Sequence, residues 1–190
     1  MPVKSVSEAK SRLAPYLSVV ERRELVVYLL RHTVGVLRAV QALEQIVVVS
    51  PDNHGLGDDV VLLPDAGSLN ESLQSAIEWS AMRGMERVLI VPGDLPYLAP
   101  IDIQTVLGMG KRGPSVVLAR TQDGGTGALC ACPPSAIKPM FGPLSYAKHV
   151  RQAQQAQLRV HQVNRRGLEC DLDTWQDLQH AQGCDLFRDL

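Results

Sequence analysis

Short apolar runs alternate along the chain with longer amphipathic segments, and this alternation predicts the order of the secondary-structure elements. Most of the runs are rich in Val, Ile and Leu and end at Pro, Gly or Asn, as expected for strands in the interior of a sheet. The predicted strands comprise residues 46–50, 60–63, 88–91, 115–119, 129–132 and 159–163.

The segments between most of these strands carry apolar positions at helical spacing. Ser18 begins a capping box with Glu21, and Ser145 is the natural N-cap of a later helix. The predicted helices comprise residues 19 to about 40, about 70 to 83, 100 onwards, 146 to about 156, and a C-terminal segment through 177 and 178. Alternating strands and helices predict one α/β domain over residues 1–190, with three α/β/α layers and a mostly parallel sheet.

The strand at residues 88–91 stops at a stiff turn that carries an aspartate. Pro92 cannot donate a ladder hydrogen bond, Gly93 permits a sharp turn, and Pro96 restricts the residue before it to extended geometry. Asp94 is therefore expected at the carboxyl end of a central strand, where open α/β sheets bind ligands. Its carboxylate could cap a helix or bind a metal ion that accompanies a polyphosphate.

A basic loop near the start of the chain offers a second candidate site. Lys4, Lys10 and Arg12 lie within nine positions among small residues. Three cations with free backbone amides between them could clamp a polyphosphate. A solvated basic loop explains the same spacing equally well.

Two further polar sites have competing explanations. Asp171 and Asp173 flank one residue of an extended segment, so both carboxylates should point to the same side and require a cation or proton between them. Asp173 could instead cap the last helix. Asn70 could cap a helix as readily as contact a nucleotide.

Composition narrows the classes of function. The 190 residues carry 19 Lys and Arg against 20 Asp and Glu, and aromatic residues make up 4% of the chain. This balance argues against a general nucleic-acid binder, and the absence of a long apolar run predicts no membrane span and a cytoplasmic location. The four cysteines and five histidines show no metal-binding spacing, so we expect structural or surface roles for them.

Together these features indicate nucleotidyl transfer. Basic side chains and Mg²⁺ would neutralise a triphosphate, and Mg²⁺ usually takes one or two carboxylates plus phosphate oxygens. The sequence has no Walker A lysine motif, no GxGxxG and no recognisable catalytic triad. These observations favour a nucleotidyltransferase over a P-loop or dinucleotide-binding enzyme.

Six motifs, in this order, resemble those of the 2-phospho-L-lactate / phosphoenolpyruvate guanylyltransferase family of deazaflavin coenzyme (F-420) biosynthesis, within the MobA-like nucleotidyltransferases. The PGDLP motif is shared by many nucleotidyltransferases, whereas the motifs at residues 10–13, 141–145 and 171–174 are more specific in this order. The motifs lie at residues 2–4 with 9–13, 69–73, 92–96, 125–129, 141–145 and 171–174. The resemblance implies a MobA-like, nucleotide-diphospho-sugar transferase (GT-A-like) fold.

The resemblance also implies a reaction. The phosphate of phosphoenolpyruvate or 2-phospho-L-lactate, a small phosphorylated three-carbon acid, would attack the α-phosphate of GTP and release pyrophosphate. Because that phosphate is already nucleophilic, no general base would be needed, and catalysis would consist mainly of positioning and charge neutralisation. Mg²⁺ is the expected cofactor, and the resemblance suggests a homodimer.

The family's functional positions map onto this chain as follows. Asp94, Asp171 and Asp173 are expected to hold Mg²⁺, and Asp94 would act in catalysis with Lys10 and Arg12. The GTP phosphates would meet Lys4, Lys10 and Arg12, and the nucleoside would meet Asn70. The acceptor's phosphate or carboxylate would be held by Thr126, Gly142 and Ser145.

Two alternatives remain open at this point. One is a MobA-like transferase that acts on a pterin or sugar phosphate, although the motifs at residues 141–145 and 171–174 argue against it. The other is a GTP-binding module without turnover.

Overall fold

The computed structural model describes residues 1–3, 10–110 and 113–182. The strands are β1 Ile46–Val49, β2 Val60–Leu63, β3 Val88–Ile90, β4 Ser115–Arg120, β5 Thr126–Cys132 and β6 Arg159–Val163. The helices are α1 Val19–Arg38, α2 Leu69–Met82, α3 Pro100–Gly108, α4 Ser145–Gln155, α5 Arg166–Glu169 and α6 Trp175–Gln182, with a 3₁₀ turn at Ser11–Leu13. The predicted order of elements is confirmed, and α5 is an addition that the sequence pattern did not predict.

The strands form two hydrogen-bonded groups within the central layer. β1 and β2 pair in parallel, and the other group has the order β3-β5-β4-β6. Only β5 runs against its neighbours, because it is antiparallel to both β3 and β4, whereas β4 and β6 are parallel. The prediction of a mostly parallel sheet is therefore confirmed, with β5 as the reversed strand.

Alternating residues of β4 divide the core into two apolar clusters, one on each face of the sheet. Val117 and Ala119 pack with the end of α1, with α3 and with Leu168 of α5. Val116 and Leu118 pack with α2 and α4 on the opposite face. This period of two, with helices on both faces, confirms the three-layer α/β/α arrangement.

Capping boxes mark the starts of two helices, whereas a third helix starts without a side-chain cap. Ser18 caps α1 and Ser68 caps α2, each through a capping box with the glutamate three positions on. The predicted N-cap at Ser145 is wrong, because α4 begins at Ser145 itself, after Leu144 in the left-handed conformation. The Ser145 hydroxyl is instead bound to Thr126, 19 positions away. None of the described helices is long and apolar enough to cross a membrane.

Candidate active site

Two carboxylates converge on one lysine at the carboxyl end of β3. Lys10 Nζ donates to Asp94 Oδ2 at 2.6 Å and to Asp173 Oδ1 at 2.9 Å. The Lys10 side chain is only 5% exposed, so its charge is shielded from water and depends on both partners. The structure thus brings together Lys10, Asp94 at the strand end, and an acidic segment near the C-terminus, residues 171–173.

Backbone contacts explain how these distant segments meet. The Leu172 N–H donates to the Asp94 carbonyl oxygen at 3.1 Å, and the Leu172 side chain is fully buried. This bond holds the segment that carries Asp171 and Asp173 against the strand-end turn. The acidic segment is therefore fixed to the turn through the main chain as well as through Lys10.

The structure argues against a helix-capping role for Asp94 and Asp173. The side chain that receives the Asp177 N–H at the start of α6 is Thr174, at 3.2 Å, and this leaves the Asp173 carboxylate for Lys10. Asp94 does not cap α3, whose N-cap is Ala99. Neither carboxylate is therefore accounted for as a helix cap.

The charged groups in this cluster shift one another's pKa values. Burial alone would lower the pKa of Lys10, but the charges of Asp94 and Asp173 outweigh that effect and raise its pKa. Burial, together with the negative charges of Asp94 and Asp173, raises the pKa of Asp171 to about 6. The three carboxylates thus lie close enough to repel one another, and a positive charge between them relieves that repulsion.

A cavity of about 410 Å³ opens beside the cluster. Lys10, Arg12, Asp94, Asp173 and Phe141 line it together with apolar side chains. The Arg12 side chain is 73% exposed, and its Nη1 lies 3.7 Å from Asp173 Oδ2, so it is available to an anionic ligand. The cavity therefore offers an exposed guanidinium next to paired carboxylates.

Among the residues described, no group of three or more His, Cys, Asp or Glu side chains is arranged to hold a metal ion. Asp94 and Asp173 nevertheless already share one cationic partner, Lys10. Two carboxylates with phosphate oxygens from a substrate form a donor set suited to Mg²⁺. This pair therefore has chemistry that suits Mg²⁺, and the binding of Mg²⁺ by Asp94, Asp171 and Asp173 stays a prediction.

Two of the residues predicted to bind the acceptor, Thr126 and Ser145, are buried next to each other, and the third, Gly142, lies on an exposed turn just before Ser145. Thr126 Oγ1 lies 2.9 Å from Ser145 Oγ and 3.0 Å from His149 Nδ1. Gly142 has a φ of 120°, which favours glycine, and its carbonyl oxygen accepts from the Ser145 N–H at 3.1 Å. Thr126, Gly142 and Ser145 are therefore neighbours, as the resemblance implies.

Asn70 connects α2 to the turn before Ser145. Its side-chain amide accepts from the Phe141 N–H at 2.7 Å and donates to the Phe141 carbonyl oxygen at 3.1 Å. Phe141 also lines the cavity and leads directly into Gly142. The structure thus shows Asn70 holding the backbone before the acceptor turn, and its predicted contact with the nucleoside stays a prediction.

Close packing behind the acidic segment requires one glycine. A Cβ atom on Gly127 would lie 1.7 Å from the carbonyl oxygen of Leu168, so only glycine allows α5 to approach β5 this closely. Beyond α5, the Arg165 Nε donates to the buried Asp102 carboxylate at 2.7 Å and ties this region to α3. These contacts support the segment that carries Asp171 and Asp173.

Sequence reasoning missed His149 as part of this site. Its side chain is fully buried between Thr126 and the backbone of Met140. A signal was available, because Ser145 and His149 are four positions apart and share one face of a helix. Lys4, predicted to bind the nucleotide, lies outside the described residues.

The three-layer fold, with a carboxylate pair beside a basic cavity at a strand end, defines a nucleotidyltransferase-like protein. A nucleotide-diphospho-sugar transferase-like protein from Desulfovibrio desulfuricans superposes with a TM-score of 0.82 at 19% identity, covering 99% of this chain and 88% of that one. A structure of CMP:2-keto-3-deoxy-manno-octonic acid synthetase complexed with CTP gives a TM-score of 0.62 at 13% identity, covering 96% of this chain and 95% of that one. These similarities show the shared fold.

Residues 1–182 match the family described as "Guanylyl transferase CofC like", and the chain belongs to that family. A phosphoenolpyruvate guanylyltransferase from Sphaerobacter thermophilus is 37% identical over 190 residues, covering 96% of this chain and 91% of that protein. A 2-phospho-L-lactate guanylyltransferase from Methanothermobacter thermautotrophicus is 30% identical over 184 residues, covering 94% of this chain and 80% of that protein. The family predicted from the motifs is confirmed.

Proposed function

We propose that this protein transfers GMP from GTP to the phosphate of phosphoenolpyruvate or 2-phospho-L-lactate, in the biosynthesis of coenzyme F-420. An oxygen of the acceptor phosphate forms a bond to the α-phosphorus of GTP. The bond from that phosphorus to the bridging oxygen of the β-phosphate breaks, and pyrophosphate leaves with the electron pair. The product is a guanosine diphosphate ester of the acid.

The observation that carries this proposal is the convergence of Asp94 and Asp173 on Lys10 Nζ at the edge of the cavity. The carboxylate pair, with Asp171 beside it, would hold Mg²⁺. When bound there, Mg²⁺ would neutralise phosphate charge on the triphosphate and the acceptor. The family's relatives, named for phosphoenolpyruvate or 2-phospho-L-lactate, support the choice of acceptors.

Lys10 and Arg12 have distinct roles in this scheme. Arg12 is largely exposed at the cavity and can form paired hydrogen bonds with phosphate oxygens. Lys10 is buried against the carboxylates and supplies a compact positive charge beside the reacting phosphates. Lys4 would add a third cation from the same segment of the chain.

The part of the site that binds the acceptor acid needs no general base. The attacking phosphate is already an anion at neutral pH, so the chain has to orient it and offset its charge. Thr126, Gly142 and Ser145 would hold the acceptor, and Asn70 would fix the preceding backbone through its paired bonds to Phe141.

Pyrophosphate release from purified protein tests the proposal directly. GTP and MgCl₂ are supplied with phosphoenolpyruvate, with 2-phospho-L-lactate, or with no acid, and the nucleotide product is identified by mass spectrometry. We expect pyrophosphate and a guanosine diphosphate ester in stoichiometric amounts with at least one of the acids. Equal pyrophosphate release without an acid, or turnover only with a sugar phosphate or pterin, contradicts the proposal.

A further inference from the structure

A buried polar triad, formed by Thr126, Ser145 and His149, lies behind the turn that is proposed to bind the acceptor. One of its members, His149, has no role in the transfer step described above. Thr126, Ser145 and His149 are 4%, 1% and 0% exposed, respectively. Thr126 Oγ1 is within hydrogen-bond distance of both other side chains. Because buried polar groups are costly when unpaired, the pattern of donors and acceptors in this triad is strongly constrained.

The backbone of Met140 determines which nitrogen of His149 carries the proton. The Met140 N–H donates to His149 Nε2 at 2.9 Å, so Nε2 must be the unprotonated nitrogen. A neutral imidazole then has its hydrogen on Nδ1, which donates to Thr126 Oγ1 at 3.0 Å. Burial lowers the pKa of His149 to about 4, which keeps the ring neutral at physiological pH.

The histidine in turn fixes the direction of the bond between the two hydroxyl groups. Thr126 accepts from His149 and has a single hydrogen of its own to donate. Ser145 Oγ, at 2.9 Å, is the remaining side-chain partner of Thr126 among the described residues. If Ser145 donated instead, the Thr126 hydrogen would be buried without an acceptor. Thr126 therefore donates to Ser145, and the Ser145 hydroxyl keeps its own hydrogen, for which the described residues provide no acceptor.

Ser145, whose hydroxyl keeps this hydrogen, is the first residue after an exposed turn. Gly142 has a φ of 120° and Leu144 a φ of 55°, and the Leu144 side chain is 63% exposed. His149 also packs edge-on against Phe141, with ring centroids 5.0 Å apart, so the same ring supports both ends of this turn.

We propose that His149 is a positioning residue for the acceptor acid: as the Nδ1–H tautomer it orients Thr126 so that the Ser145 hydroxyl donates to an anionic oxygen of the acceptor. This inference rests on the proposed function, since it specifies how the acceptor half of that site is prepared. It assigns to His149 no contact with the reacting atoms and no transfer of a proton.

Two amide substitutions separate this role from simple packing. In His149→Asn the side-chain nitrogen can take the place of Nδ1 and donate to Thr126, whereas in His149→Gln the amide reaches the place of Nε2 and can serve only Met140. His149→Phe keeps the ring contact with Phe141 and removes both nitrogens. His180→Asn, on an exposed face of α6, is the matched control.

The Michaelis constants for acceptor and GTP are measured separately for each variant. We expect His149→Phe and His149→Gln to raise the KM for the acceptor at least about tenfold, with the KM for GTP changed less than about twofold. His149→Asn should restore the acceptor KM to within about threefold of the wild-type value. Rescue by Gln rather than Asn, or an equal rise in both KM values, overturns the proposal.

The tautomer is measured independently of turnover by long-range ¹H–¹⁵N correlation spectra of the ¹⁵N-histidine-labelled protein. The spectrum of His149 should show a protonated Nδ1 and an unprotonated Nε2 at pH 7. A protonated Nε2 overturns the proposal even if the variants behave as expected. If the wild-type protein releases no pyrophosphate with either acid, the proposed function fails and the acceptor role of His149 fails with it, whereas the spectrum still shows whether the triad forms.

Discussion

The ammonium group of Lys10 lies 2.6 Å from a carboxylate oxygen of Asp94, although 84 positions separate the two residues in the chain. Lys10 also has a left-handed backbone, with a φ of 56°, a conformation that is unfavourable for a residue with a side chain. The position of this lysine is therefore stabilised by its contacts with Asp94 and Asp173, which are the proposed ligands of Mg²⁺.

It follows that Lys10 and a divalent cation compete for the same carboxylates when no nucleotide is bound. We expect Lys10→Met to bind Mn²⁺ about tenfold more tightly than the wild-type protein, because no ammonium has to be displaced. Isothermal titration calorimetry without nucleotide measures this affinity. Lys138→Met, which removes an exposed lysine, should leave it unchanged. Equal or weaker Mn²⁺ binding by Lys10→Met would show that the two cations use different sites.

Asp94 is predicted to be essential for turnover but not for folding. Asp94→Asn removes the charge that faces Lys10 and the proposed metal, and we expect at least a 100-fold loss, by order of magnitude, in kcat/KM for GTP. Circular dichroism should show an unchanged fold. The matched control is Asp58→Asn at an exposed position, which should retain full activity. An Asp94→Asn variant with wild-type kinetics would remove Asp94 from the active site.

Gly127 is predicted to be indispensable for stability. A methyl group there would collide with the Leu168 carbonyl, so we expect Gly127→Ala to lower the free energy of unfolding by about 3 kcal/mol. Gly35→Ala in α1 is the control, since its added Cβ meets no atom within 4 Å and should stabilise the helix by about 1 kcal/mol. Urea unfolding compares the two. Equal effects would mean that α5 can move away from β5 without cost.

His149 should make the stability of the protein sensitive to mild acid. The folded protein takes up this proton near pH 4, whereas the unfolded chain takes it up near the ordinary pKa of 6.5. Protons therefore favour the unfolded state between these values, and the free energy of unfolding should fall by about 3 kcal/mol as the pH drops from 6.5 to 4. Above pH 6.5 this residue has no effect.

Urea unfolding at several pH values isolates that contribution. The difference in stability between wild type and His149→Asn should change with pH only in this window. His180→Asn should keep the full wild-type pH dependence, because His180 is exposed. A constant difference between wild type and His149→Asn over this range would show that folding does not change the pKa of His149.

The two roles considered for Asn70 have different kinetic consequences. Asn70→Ala removes both bonds to the Phe141 backbone, so we expect the KM for the acceptor to rise more than the KM for GTP. Steady-state kinetics with each substrate varied in turn measure the two effects. A selective rise in the KM for GTP would instead support contact between Asn70 and the nucleoside.

Features that depend on neighbouring residues could be predicted from the sequence. The capping box at Ser18 uses residues three positions apart, and α1 begins where this motif places it. The strand end at Asp94 also follows from local chemistry, because Pro92 and Gly93 interrupt the strand directly before it. The motif resemblance correctly brought Thr126 and Ser145 together.

Features that depend on the tertiary fold could not be predicted in the same way. Ser145 has the composition of an N-cap, but its hydroxyl is bound to Thr126 on β5 rather than to its own helix. The reversal of β5 is also invisible in its apolar pattern, because buried parallel and antiparallel strands can have similar compositions. The bridge from Lys10 to both aspartates forms only after three distant segments have packed.

The main-chain bond from Leu172 to Asp94 makes the assembly of the active site observable at one backbone amide. Leu172 N–H can exchange with deuterium only when the acidic segment separates from the strand-end turn, because its hydrogen is bound to the Asp94 carbonyl. The exchange rate of this amide therefore reports how often the site opens. Ligands that bind across the two segments should slow that exchange, because they favour the state in which the segments are joined.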